Sequence, residues 1–285
     1  MTMSISDVRA AFRKLHESGC FVIPNPWDVG TARYLGHCGF KALATTSAGA
    51  AFSMGLPDGA VTRDMMLAHI RTIAEATELP VNADFEAGYA HDPETVAESV
   101  RLCIATGVAG LSIEDATGDK AKPLYDLDTA VARMQAARRA IDQSGADVML
   151  VGRAECFLVG RPDLEETLAR LNAYASAGAD CLYAPGIRAA EQIAAVVAAV
   201  APKPVNLLMS GATGLTVDDL AGLGVRRISV GGALARVAWG PFMRAAKQIA
   251  TEGRFDALAD AVPQAEINGF FREDLKGRKG RCATL

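Results

Sequence analysis

The 285-residue chain is predicted to form an α/β protein of the (β/α)8 barrel class. Three observations carry this. Gly19, Gly39, Gly107, Gly145, Gly178 and Gly224 each follow a helical pattern and open a short hydrophobic run, as expected where a residue with positive φ ends a helix. Two more runs open on Pro80-Val-Asn and Pro204-Val-Asn, which brings the strands to eight. Between them lie amphipathic stretches of helical period, and strands rich in Val, Ile, Leu and Ala that alternate with helices form parallel sheets covered by those helices.

In chain order, the first eighteen residues read as an amphipathic helix, with acids that a signal peptide would lack. Later helices are predicted over Thr62 to Glu78, Pro93 to Thr106, Leu127 to Gln143, Leu164 to Ala177 and Ala189 to Val200. Asp92-Pro93, Asp163 and Thr216 supply helix openings. A doubly wound open sheet is the alternative, but the glycine-rich phosphate fingerprint it often carries is missing after the first strand. Residues 1–255 read as one barrel domain, and 256–285 as a helical extension with a basic tail. Phe270 and Phe271 belong to a frayed end or dock on a neighbouring subunit.

Composition narrows the function classes. Half the residues are hydrophobic, 22% are charged and the net charge is −4, so nucleic acid and anionic membranes are not expected partners. No apolar run is long enough for a membrane span. The six dispersed cysteines, without a C-x-x-C pair, read as free thiols in a cytoplasmic protein. His16, His37, His69 and His91 read as packing, capping or surface residues.

In a barrel, the residues just past each strand converge on one mouth. Here they are Asn25 to Asp28, Thr45 to Gly49, Asp84 and Glu86, Glu114 and Asp115, Arg153 and Glu155, Tyr183, Asn206 to Ser210, and Gly231-Gly232. Asp84 and Glu86, two apart in an extended segment, point the same way and suit a hard divalent cation. With Glu114 and Arg153 they suggest a metal site beside an anion site, since a guanidinium binds a carboxylate through two parallel hydrogen bonds. Solvated loop acids are the plain alternative.

The runs Asn25-Pro-Trp-Asp-Val-Gly-Thr-Ala-Arg33, Ala44-Thr-Thr-Ser-Ala-Gly49, Gly55-Leu-Pro-Asp58-Gly, Asn82-Ala-Asp-Phe-Glu-Ala-Gly-Tyr89, Ser112-Ile-Glu-Asp115 and Gly152-Arg153 resemble the isocitrate lyase and phosphoenolpyruvate mutase superfamily. The resemblance implies a barrel whose last helix is exchanged between subunits, a homotetramer, and Mg2+, with Mn2+ as the other candidate. It implies Asp84 as principal metal ligand, with Asp58, Glu86 and Glu114 reaching the ion largely through waters. It also implies Ser47, the backbone at Ala48 and Gly49, and Arg153 as binders of a substrate carboxylate, Trp27 as a pocket wall and Asn206 as a polar substrate contact. Arg153, Asp58 and Glu114 are then the catalytic group.

Two departures choose the branch. The loop Asp115-ATGDKAKPLYD126 lacks the K-x-C-G-H motif of isocitrate and methylisocitrate lyases, and Tyr183-Ala-Pro-Gly186 stands where those lyases carry a glutamate. The expected activity is therefore Mg2+-dependent lysis or decarboxylation of a small 2-oxo or 2-hydroxy dicarboxylate through an enolate. The alternatives are a phosphonopyruvate-type P–C mutase or hydrolase and a non-catalytic oxo-acid-binding protein.

Overall fold

The computed structural model describes residues 3–282, with the side chains of 3–278. Cys282 and the last basic side chains of the tail, which the sequence reading included, lie outside the described side chains. The chain runs α1 (Ile5–Leu15), β1 (Phe21–Ile23), α2 (Val29–His37), β2 (Leu43–Ala44), α3 (Ser47–Ser53), α4 (Arg63–Glu75), β3 (Val81–Asp84), α5 (Pro93–Ile104) and β4 (Gly110–Glu114). It continues through α6 (Leu127–Ser144), β5 (Met149–Arg153), α7 (Leu164–Ser176), β6 (Cys181–Tyr183), α8 (Ala190–Val200) and β7 (Val205–Leu208). Then follow α9 (Val217–Gly222), β8 (Arg227–Ser229), α10 (Ala233–Glu252) and α11 (Gln264–Cys282).

The eight strands form one parallel sheet in the order β1-β8-β7-β6-β5-β4-β3-β2. The Ala44 N–H donates to the Pro24 carbonyl at 3.0 Å and draws the two ends together, so the predicted (β/α)8 barrel is present. All six glycines read as strand openers have positive φ, between 67° and 103°. Asp28, Thr62, Asp92, Asp126, Asp163 and Thr216 cap helices through their side chains, each satisfying a backbone N–H of the first turn. Asp28 is thus a capping residue, its Oδ1 taking Thr31 N at 2.7 Å.

The large core lies between the strands and the helix layer, with Leu43, Ala83, Leu111, Ile113 and Leu182 among its buried members. A second cluster gathers Phe12 of α1 with Ile23, Ala42, Ala44, Ala109 and Met149. A Cβ on Gly110 would sit 2.8 Å from the Phe12 ring and 2.7 Å from Asn82 Oδ1, so this glycine is what lets α1 plug the barrel. The strand register does the rest of the positioning. Glu114 pairs with Arg153, Arg153 with Tyr183, Tyr183 with Asn206, and Asn206 with Arg227.

At the other end of the chain, α11 folds back onto α2. The Phe270 ring lies 5.2 Å from Tyr34 and 5.1 Å from His37, and Arg33 stands 3.7 Å from Asp274. Phe270 therefore docks within its own chain, because α2 offers aromatic partners within reach. Helix α10 keeps Val237, Phe242 and Met243 exposed, at 68, 59 and 61%. Among the described residues no helix is long and apolar enough to cross a membrane, and Cys20, Cys38, Cys103, Cys156 and Cys181 are free thiols.

Candidate active site

A cavity of about 180 Å³ opens at the C-terminal ends of the strands. Ser47, Ala48, Asp58, Asp84, Arg153 and Asn206 border it, six of the predicted site residues drawn together from separate segments. Trp27 instead lines a neighbouring hollow with Trp239 and Phe242. Glu86, Glu114 and Gly49 do not border it, although Glu114 lies 3.2 Å from Arg153, which does.

Arg153, the last residue of β5, gathers the acids. Its Nη1 lies 3.1 Å from Asp84 Oδ1 and 3.2 Å from Glu114 Oε2, and its Nε donates to Glu155 Oε1. The guanidinium also sits over the Tyr183 ring, 5.1 Å from its centroid. The carboxylates hold the Arg153 proton more tightly than usual, outweighing a burial that opposes charge. Burial raises Glu114 and Glu155 as well, far up for Glu114, with mutual repulsion adding to it and Arg153 opposing. Burial also raises Asp58, while the Ser47 hydroxyl pulls it back.

Asp84 ends β3 and is anchored twice more. Its Oδ2 accepts the Ser47 N–H at 2.9 Å, and its own N–H donates to Thr45 Oγ1 at 2.9 Å. Ser47 begins α3, a short helix placed directly after β2; Gly49 N there donates to Thr46 Oγ1 at 3.3 Å. A Cβ on Gly49 would lie 2.6 Å from Thr46 Cγ2 and 2.9 Å from Trp27 Cβ, so only glycine lets these segments close up.

The loop after β3 is held in an uncommon shape. Glu86 and Tyr89 both have positive φ, 45° and 56°, a conformation that costs non-glycine residues energy. Tyr89 donates its hydroxyl to Glu86 Oε1 at 2.5 Å. Burial raises the Glu86 carboxyl to about 7, with Asp84 and Asp58 adding repulsion. Arg133 of α6 fixes the loop by donating to the carbonyls of Ala90 at 2.6 Å, His91 at 2.5 Å and Ala87. Its guanidinium stacks 4.1 Å from the Tyr125 centroid, and Tyr125 OH meets His91 Nδ1 at 2.5 Å.

Sequence reasoning also left the role of Asp115 open and missed its partners. Asp115 Oδ2 accepts from Tyr174 OH at 2.5 Å and from Arg170 Nη1 at 3.0 Å. The segment between Asp115 and Asp126 forms a small hairpin, with Thr117 N on Pro123 O at 3.0 Å and Tyr125 N on Asp115 O at 3.0 Å. Arg133 and Arg170 had a readable signal: each shares a helix face with buried apolar residues.

Acid groups exceed guanidinium groups around Arg153, and that donor set, all oxygen and raised in pKa chiefly by burial, suits a hard divalent cation. Among the described residues no three acidic, imidazole or thiol groups converge into a closed metal cage.

Comparison with known proteins decides the kinship. The sequence profile described as phosphoenolpyruvate phosphomutase matches residues 12–250. The chain belongs to that family. It is similar to 2-methylisocitrate lyase of Escherichia coli, 33% identical over 192 residues and 64% of each chain. It is also similar to oxaloacetate decarboxylase of Pseudomonas putida, 30% identical over 78% of each chain. Among solved structures, a Burkholderia cenocepacia protein described only as a lyase/mutase superposes with a TM-score of 0.90 at 51% identity, over 94% of this chain and 97% of the other. The structure of 2,3-dimethylmalate lyase gives 0.84 at 28% identity over 99% of both. The protein is thus an enzyme of the isocitrate lyase and phosphoenolpyruvate mutase superfamily.

Proposed function

We propose that this family member is an Mg2+-dependent lyase or decarboxylase that breaks a carbon–carbon bond in a small 2-oxo or 2-hydroxy dicarboxylate. The observation that carries the reading is the placement of Asp84. It stands at the cavity wall between the Ser47 N–H and Arg153, with acids in excess around it. Asp84 would hold the ion directly, with Asp58, Glu86 and Glu114 reaching it through water. When bound, the ion supplies Lewis-acid stabilisation to the negative oxygen that grows on the substrate as the adjacent bond breaks.

The chain's own residues orient the acid. Nε and Nη1 of Arg153 are taken by carboxylates, which leaves Nη2 as its donor to a substrate carboxylate. Ser47 and Ala48 border the same cavity and would complete that grip. Tyr183, whose hydroxyl burial raises to about 12, stays neutral and can only share a proton by hydrogen bonding near pH 7. In a decarboxylation, solvent supplies the final proton, so the hairpin after β4 needs no acid.

The exposed apolar face of α10 supports a homotetramer with this last barrel helix exchanged between subunits. Free thiols support a cytoplasmic setting.

The test is pyruvate release, followed by a coupled reductase with Mg2+ or with chelator, from oxaloacetate, 2-methylisocitrate, 2,3-dimethylmalate and phosphonopyruvate. Chelator-sensitive release above the uncatalysed rate from one carboxylic acid, abolished in Asp84→Ala, is the expected result. Release from phosphonopyruvate alone would move the protein to P–C chemistry. Tight oxo-acid binding without any turnover would make it a binding protein.

A further inference from the structure

The deep end of the cavity differs in charge from its mouth. Arg227, the first residue of β8, borders the cavity yet is only 3% exposed. Its Nε donates to Asn206 Oδ1 at 2.8 Å, and its Nη1 lies 3.3 Å from Asn82 Oδ1 and 3.4 Å from His16 Nε2. His16 Nδ1 is 2.8 Å from the Phe12 carbonyl, so the proton sits on Nδ1 and the Nε2 lone pair faces Arg227. Burial first, then Arg227, push His16 down to about 3, which keeps it neutral. Every partner of Arg227 among the described residues is uncharged.

A buried cation without an anion is costly unless something else completes it. Arg9 and Arg133 are also buried on neutral groups, but backbone carbonyls claim their guanidinium groups and neither borders this cavity. Arg227 alone of the three faces open space. Asp58 and Asp84 border the same space, and Asp84 is the last residue of its strand where Arg227 is the first of its own.

We infer that the cavity floor is an anion subsite built on Arg227, which receives the distal acidic group of the ligand while the mouth holds the reacting end. This rests on the oxo-acid reading above and narrows it. A cavity of about 180 Å³ is small beside those that hold drug-sized ligands, so the occupant is short, and guanidinium groups at Arg153 and Arg227 suit it to a dianion. Asn206 serves the ligand through Arg227: its Oδ1 is taken by the guanidinium and its Nδ2 donates to Ser229 Oγ at 2.9 Å. Arg227 is then a specificity residue, selecting acids by charge at the end away from the chemistry.

Calorimetric titration of the full chain in Mg2+ buffer tests this with malate, with malate's C4 monoamide and with oxalate as a ligand too short to span the cavity. Malate should bind roughly tenfold to a hundredfold more tightly than the monoamide, the value of a charge-assisted hydrogen bond. Arg227→Gln should erase that ratio while leaving oxalate affinity within about twofold, and Arg227→Lys should restore part of it. Equal malate and monoamide affinities in the wild type overturn the subsite, and this comparison needs no variant to fold. So does an Arg227→Gln protein that melts like the wild type and weakens oxalate as much as malate. Turnover of one acid with equal affinities leaves the proposed reaction standing without the subsite. A preference for malate with no turnover of any acid does the reverse.

Discussion

The Asp115 carboxylate accepts the backbone N–H of Glu155 at 2.8 Å, joining the ends of two neighbouring strands. Glu155 in turn receives Nε of Arg153. The buried trio of Asp115, Arg170 and Tyr174 thereby braces the guanidinium that gathers the site's acids. Asp115→Asn keeps the shape but removes the more deeply buried of the two carboxylates on Arg170, which retains Glu166 on Nε and Nη2. We expect a loss of about 3 kcal/mol in urea unfolding, typical of one partner removed from a buried pair, with kcat/KM falling as Arg153 loses its brace. Tyr174→Phe should cost about 1 kcal/mol, one hydrogen bond. An unchanged urea midpoint in Asp115→Asn would show that the network carries no load.

Glu86 sets a pH dependence whose sign follows from burial. Its folded pKa of about 7 lies above the ordinary 4.5, so folding favours the protonated acid. Its contribution to stability is full below the unfolded value and is lost as pH rises through 7. Between about pH 5 and pH 8 the wild type should lose up to about 3 kcal/mol from this group, and Glu86→Gln should not. Thermal melts across that range read it directly. Added Mg2+ should raise the wild-type Tm more at the alkaline end, where the carboxylate is free to interact, and parallel curves with and without Mg2+ would count against a metal at this site.

Much of this site was legible because its residues follow a period. Asp84, Glu114 and Arg153 end apolar runs, and strand ends in a barrel share one mouth, so chain position alone placed them together. Asp58 lies off the strands and was reached only through resemblance to a family, whereas Ser47 was placed at the mouth by its position after the second strand and given its role by the resemblance. Arg227 was passed over because it opens its strand, where a charged residue reads as a solvated turn; its alternation with Ser229 on the inner face was the available sign. The clamp on Ala87, Ala90 and His91 was not legible, since backbone carbonyls carry no mark in a sequence.

That clamp gives a third expectation. Arg133 holds three carbonyls of a loop in which Glu86 and Tyr89 sit in left-handed conformations. Arg133→Met should release the loop, costing about 3 kcal/mol as several buried hydrogen bonds are lost together. Amide exchange over residues 86–91 should quicken more than exchange elsewhere in the barrel. Arg133→Lys should rescue little, because an ammonium cannot reproduce the planar fork that spans the carbonyls. Unaltered exchange over this loop would mean that β3 and α5 hold it without help.

Helix α10 ties assembly to the site. Ala235 on its first turn lies against Gly49, where an added Cβ would come within 3.6 Å of it, and Gly49 in turn presses on Trp27. Further along, Trp239 and Phe242 share a hollow with Trp27, while Phe242 and Met243 remain exposed. An apolar strip of this kind is expected to be covered by a second subunit. Light scattering should give a tetramer for the wild type, and Phe242→Glu should shift it to smaller species by burying an unpaired charge at the contact. Because the same helix packs on Gly49, the dissociated variant should also lose activity, with KM rising as the wall beside Ser47 loosens. A monomeric wild type with full activity would remove the exchanged helix from the account and leave the cavity to work alone.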